Sequence, residues 1–211
     1  MRGLLAALLG LLAAGAALAQ EHPVSNTKIV PPQAPKLIEM LRTGGYVIFF
    51  RHGTTPDYAE PSVEDFADCS RQRNLNELGR AQAKSIGEAF RELGFRIDKV
   101  VASPYCRCMD TARLAFGRVE AARDVGAGGD RAVLRGRFAT APAAGFNDVI
   151  VGHGSAGGMI GEEFLREAEA VVVKPLGDGT FELIARVRAE GWTQMLPRNR
   201  EPPPGTPRAV Q

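Results

Sequence analysis

Apolar residues along this chain fall into two kinds of run, and the two kinds alternate. Tyr46-Val47-Ile48-Phe49-Phe50, Val100-Val101-Ala102 and Val149-Ile150-Val151 are continuous and rich in β-branched and aromatic residues. That is the pattern of strands buried on both faces. The other runs have helical spacing. Leu37, Ile38 and Leu41 recur before a stop at Gly44-Gly45, and Asn76 can cap a helix carrying Leu78, Ile86, Phe90 and Leu93 on one stripe, closed by Gly94. Met109 to Phe116 reads as a further helix stopped by Gly117, and Arg131 to Phe138 as a short one after the Gly126-Ala127-Gly128-Gly129 break. Ala170–Val173 and Phe181–Ala185 read as two more strands joined by a turn at Gly177-Asp178-Gly179. Strands alternating with helices predict an α/β fold, a three-layer α/β/α sandwich with a mainly parallel central sheet.

The ends of the chain break the pattern. Arg2, the apolar stretch Gly3–Leu18 and the small residues at Ala17 and Ala19 have the order of a cleavable secretory signal. The stretch is shorter than the roughly 20 residues a bilayer span needs. The expected organisation is a signal peptide over 1–19, a polar leader over 20–35, one domain over 36–196 and a Pro-rich disordered tail over 197–211. The expected location is periplasmic or secreted, with no membrane span after cleavage. The formal charge of +2, with both signs interspersed, gives no case for nucleic-acid binding. Three cysteines in an exported chain suggest one disulfide and one spare thiol. Cys69 with Cys106 is the preferred pair, Cys69 with Cys108 the alternative. Cys106-x-Cys108 lacks the further ligands of a closed zinc site.

In parallel α/β sheets ligands bind beyond the carboxyl ends of the strands. Three buried strands here run into Arg51-His52-Gly53, into Ser103-Pro104-Tyr105-Cys106-Arg107 and into Gly152-His153-Gly154. Candidate chemistry therefore gathers on one edge. Arg51 and Arg107 offer permanently charged planar forks suited to phosphate oxygens. His52 can attack phosphorus through a neutral ring nitrogen, with a carbonyl on the other nitrogen setting the tautomer. His153, if protonated, adds a cation where charge spreads over the transferring group.

These residues resemble the histidine phosphatase superfamily, also called phosphoglycerate mutase-like. The resemblance runs from about Gly45 to Trp192 and rests on four blocks in the family's order: Val47–Thr55, Arg73–Ala83, Val101–Ala112 and Val149–Gly154. It implies His52 as the phosphorylated nucleophile, with Arg51, Arg107 and His153 as the rest of the phosphate pocket and Thr55 as a nearby hydroxyl. It implies no metal and no other cofactor. The stretch around Cys69 and Cys106 resembles small exported bacterial members, which supports that pairing. The family usually supplies a carboxylate general acid, and here the second histidine is followed by Gly154 instead. Glu120 is the first candidate for that role, beside Asp124 and, behind them, Glu162 and Asp57. The expectation is a phosphomonoester hydrolase acting on a phosphorylated small molecule or envelope glycan, with a phosphoprotein substrate left open. The alternatives are a catalytically silent phospholigand-binding module and a phosphotransferase or mutase. The sequence carries no signal for oligomeric state.

Overall fold

The computed structural model describes residues 34–59, 65–126, 128–155 and 165–197. The expected signal and leader segments before Ala34, the tail beyond Pro197 and Glu162 lie outside the described residues. Helices α1 (Ala34–Thr43), α2 (Glu77–Glu92), α3 (Cys106–Phe116), α4 (Arg131–Ala139) and α5 (Ala189–Gln194) alternate with strands β1 (Val47–Arg51), β2 (Ile97–Ala102), β3 (Glu120–Ala121), β4 (Asn147–Gly152), β5 (Ala170–Pro175) and β6 (Phe181–Val187). The strands form one sheet in the order β3-β2-β4-β1-β5-β6. Its β3-β2-β4-β1 half is parallel and its β1-β5-β6 end antiparallel, so the sheet is mixed with a parallel centre, and helices cover both faces.

The period-2 alternation of a strand splits β1 between two cores. Ile48 and Phe50 face the layer of α1, α2, α3 and α5, where Phe50 meets Phe90, Phe116 and Trp192. Val47 and Phe49 face the other way, where Phe49 packs edge-on against Phe138 of α4. Both sides of β1 are sealed, which explains its continuous apolar run. One position departs from the expected stripe: Leu78 is 58% exposed, because it lies off the helix face that Gly79, Ala83, Ile86 and Phe90 bury. Asn76 caps α2 as expected, its side chain accepting from Gly79 N. The helix after Ser103 starts at Cys106, three residues earlier than its apolar spacing suggested, so Arg107 lies in its first turn. Cys69 and Cys106 form the disulfide, and Cys108 keeps its thiol in the core. No described helix is long and apolar enough to cross a membrane.

Candidate active site

Strand register brings the histidines together. Arg51 on β1 pairs with Gly152 on β4, so the next residues, His52 and His153, leave the sheet side by side. His52 N continues the ladder by donating to Gly152 O at 3.0 Å, and the two rings lie 5.7 Å apart, edge to face. On the other side of β4, Ala102 pairs with Val151, and Ser103 N donates to Val151 O at 2.9 Å. Ser103 therefore emerges beside His153, and the chain turns there into α3, whose first turn carries Arg107. A helix N-terminus adds positive potential to this edge.

The loop after β1 is fastened to α2 and α3. Gly53 N donates to Thr111 Oγ1 at 3.0 Å, and Thr111 donates onward to Arg107 O. A Cβ on Gly53 would stand 2.7 Å from Gly79 O, and one on Gly79 would stand 2.2 Å from Thr54 O. The close approach of this loop to α2 thus requires glycine at both positions.

The ring nitrogens of the two histidines are held differently. His52 Nδ1 lies 2.8 Å from Gly53 O, and a carbonyl can only accept, so the proton sits on Nδ1 and Nε2 keeps its lone pair. His153 Nδ1 faces Arg107 Nη2 at 3.4 Å, while Nε2 meets Ser103 Oγ at 2.9 Å. A guanidinium can only donate, so His153 carries its proton on Nε2 and gives it to the serine. Burial, then Arg107, the other histidine and Arg51, hold the pKa of His52 down at about 2 against the Gly53 bond. Burial, then Arg107, Arg51 and Arg73, hold that of His153 at about 3. Both rings are neutral in the ligand-free site, and the cationic form considered for His153 requires an incoming anion to stabilise it.

Arg107 is buried, with its guanidinium over the Tyr105 ring at 4.4 Å. Arg51 donates through Nη1 to Leu165 O at 2.8 Å and reaches Glu167 through Nη2 at 3.4 Å. Its pKa is lowered chiefly by burial and raised by Glu167, with Arg73 and Arg107 lowering it further, which marks three guanidinium groups gathered here. Thr55 lies at the same place, its hydroxyl 2.8 Å from Glu167 Oε1. Ser103, Thr111, Arg73 and Glu167 were not singled out in the sequence. Arg73, Ser103 and Thr111 stood inside motif blocks and could have been noticed there, whereas the role of Glu167 arises only from tertiary contact.

The proposed acids fare unequally. Glu120 is exposed on β3, at the sheet edge beyond β2 and β4 from β1. Three strand spacings place it roughly 14 Å from the β1 line. Asp124 is held by Arg137 through two hydrogen bonds, which lower its pKa and keep it ionised. It lines a cavity of about 380 Å³ together with Gly126, Arg131, Ser155 and His153. Asp57 is exposed.

Residues 47–125 match the model of the histidine phosphatase superfamily, branch 1. Among curated proteins, the chain is 33% identical over 106 residues to the mitochondrial serine/threonine-protein phosphatase Pgam5 of Drosophila persimilis, covering 49% of this chain and 30% of that protein. It is 33% identical over 79 residues to that of Drosophila virilis, covering 37% and 25%. The chain thus spans about a third or less of the length of these relatives. Among solved structures, the protein histidine phosphatase SixA complexed with tungstate superposes with a TM-score of 0.52 at 14% identity, over 68% of this chain and 97% of that one. A phosphoserine phosphatase mutant from Entamoeba histolytica in complex with phosphoserine superposes at 0.50 and 13%, over 72% and 98%. At such identities these structures establish the fold alone.

Proposed function

We infer that this chain belongs to the histidine phosphatase superfamily, whose branch 1 model matches residues 47–125, and is a phosphomonoester hydrolase working through a phosphohistidine on His52. The observation that carries this is the paired histidine ends: His52 with Nδ1 occupied by Gly53 O, His153 within ring contact, and Arg107 against His153. In the first step the Nε2 lone pair of His52 attacks phosphorus. The ester P–O bond breaks, its electrons leave on the ester oxygen, and that oxygen takes a proton from solvent water. In the second step water attacks the same phosphorus and gives a proton back to solvent, the P–N bond breaks, inorganic phosphate departs and His52 regains its lone pair. Arg51 and Arg107 hold the equatorial oxygens, where charge accumulates. An oxygen entering between Arg107 and His153 replaces their contact and lets His153 take a proton, becoming a donor to the phosphoryl group. Thr55 adds a hydroxyl.

Among the described acid candidates from the sequence, Glu120 is exposed on the sheet edge, Asp57 is exposed and Asp124 is bonded to Arg137; a reaction without their help forgoes about 10²- to 10⁴-fold for poor leaving groups. That favours esters with good leaving groups. The cavity beside His153 gives room for a compact leaving group, which supports a phosphorylated small molecule or glycan as substrate. With the secretory pattern at the N-terminus, the proposed setting is the periplasm or the exterior. The test is a panel of phosphate monoesters offered to the purified protein and to His52→Ala. Turnover of some members by wild type and none by the variant is expected; equal turnover by both proteins would remove the reading.

A further inference from the structure

We propose that Glu167 is a positioning residue of this site, fixing Arg51 and Thr55 together in the orientation that grips the phosphoryl oxygens. This rests on the hydrolase reading above. Its carboxylate is shared between both groups: Oε1 accepts from Thr55 Oγ1 at 2.8 Å and lies 3.4 Å from Arg51 Nη2, while Oε2 accepts from Thr55 N at 3.3 Å. The neighbouring Leu165 O takes the other terminal nitrogen of Arg51 at 2.8 Å. One short segment therefore holds both forks of the guanidinium and the threonine of the next loop.

That segment is itself tied to the nucleophile's strand end. Ala168 N donates to His52 O at 2.8 Å, and Arg51 N donates to Glu169 O at 2.9 Å. Ala168 adopts a positive φ of 57°, the one non-glycine residue to do so among those described. A side-chain-bearing residue in that region is strained and persists only where its surroundings over-determine it. Here the strained residue directly follows Glu167 and aims it back at β1. Below it, Glu169 is buried and ion-paired with Arg186 at 2.7 Å, which anchors the turn to β6.

Charge balance supports the same role. Arg51, Arg73 and Arg107 cluster around two neutral histidines, and Glu167 offsets one of the three positive charges. The net of about two positive charges matches a dianionic monoester.

The experiment compares wild type, Glu167→Gln and Glu167→Ala in the full chain, reading kcat and KM on p-nitrophenyl phosphate and on an alkyl phosphate, and inhibition by inorganic phosphate. Gln keeps an acceptor for Thr55 but loses the charge on Arg51, and its near-identical shape preserves folding. Misplacement of a gripping group costs up to about 10²-fold in rate. A loss of about tenfold in kcat is expected for Gln and more for Ala, equal on both esters, with phosphate inhibition weakened in the same order. Changes within twofold in both variants would overturn the proposal. So would wild-type kcat and phosphate inhibition in Gln beside an Ala variant whose losses are matched by a fall in its thermal midpoint, the mark of a merely structural role. A loss confined to the alkyl ester would make Glu167 the general acid instead and equally end the positioning role. Wild type that neither turns over an ester nor responds to phosphate would sink the hydrolase reading itself, and this one with it.

Discussion

His52 and His153 leave adjacent parallel strands in register, yet the two strand ends hold their rings by different means. The β1 end uses its own backbone: Gly53 O fixes Nδ1 of His52, and Gly53 N is fastened in turn to Thr111. The β4 end uses side chains from elsewhere, Ser103 after β2 and Arg107 in α3. A backbone partner cannot be removed by substitution, whereas side-chain partners can. The tautomer of the proposed nucleophile is therefore built into the fold, and that of its companion is adjustable.

The largest effect should separate the two rings by role. His52→Ala is expected to lower kcat/KM by at least about 10³-fold, because no covalent route remains. His153→Ala keeps the nucleophile and is expected to lose about 10²-fold, the scale of one oxyanion donor. Equal losses in steady-state assays of the two variants would erase the distinction. Arg107→Ala should follow at about 10²-fold, with KM for the ester and inhibition by phosphate both weakened, since it bonds the ligand and His153 alike.

The pH dependence of stability comes next. Both histidines have folded pKa values well below their ordinary 6.5, at about 2 and about 3. The unfolded chain thus binds more protons between those limits. The stability the neutral rings contribute is fully present above pH 6.5 and drains away as pH falls toward 3. Each ring accounts for at most about 1.4 kcal/mol per pH unit in that window. Chemical denaturation at pH 6 and pH 5 should show the fall, and His153→Gln should remove roughly half of it while leaving the share of His52. An unchanged slope in the variant would mean that His153 is not held neutral.

The smallest effect probes the adjustable partner. Ser103→Ala removes the acceptor of the His153 ring proton and is expected to cost about 3- to 10-fold in kcat/KM, the equivalent of one neutral hydrogen bond. Unaltered kinetics would show that Arg107 alone orients the ring.

The same contrast explains what the sequence could reveal. The strands β1, β2 and β4 were legible because burial on both faces leaves a continuous apolar run, and the ends of those runs pointed to Arg51, His52, Arg107 and His153. The Cys69–Cys106 pair matched the preferred reading of an odd cysteine count. Less visible was α5, six residues long and too short for a periodic signal, although its Trp192 is wholly buried against Phe50 and Phe90. The two-residue β3 left no run at all, so Glu120 could not be placed on the sheet edge. Leu78 was read onto the helical stripe but lies off the face that Gly79, Ala83, Ile86 and Phe90 bury. Glu167 was hidden for another reason. Its partners Arg51 and Thr55 are 116 and 112 residues away in sequence, and only the β1–β5 pairing brings its turn onto them.

The central claim is most directly tested by rapid acid-free quenching of the wild-type protein during turnover of a phosphate ester, followed by peptide mass spectrometry. A single phosphoryl adduct, acid-labile and base-stable, on the peptide containing His52 is the expected result, absent from His52→Ala. An adduct on His153 with His52 unmodified, or ester hydrolysis through a variant lacking His52, would contradict the account.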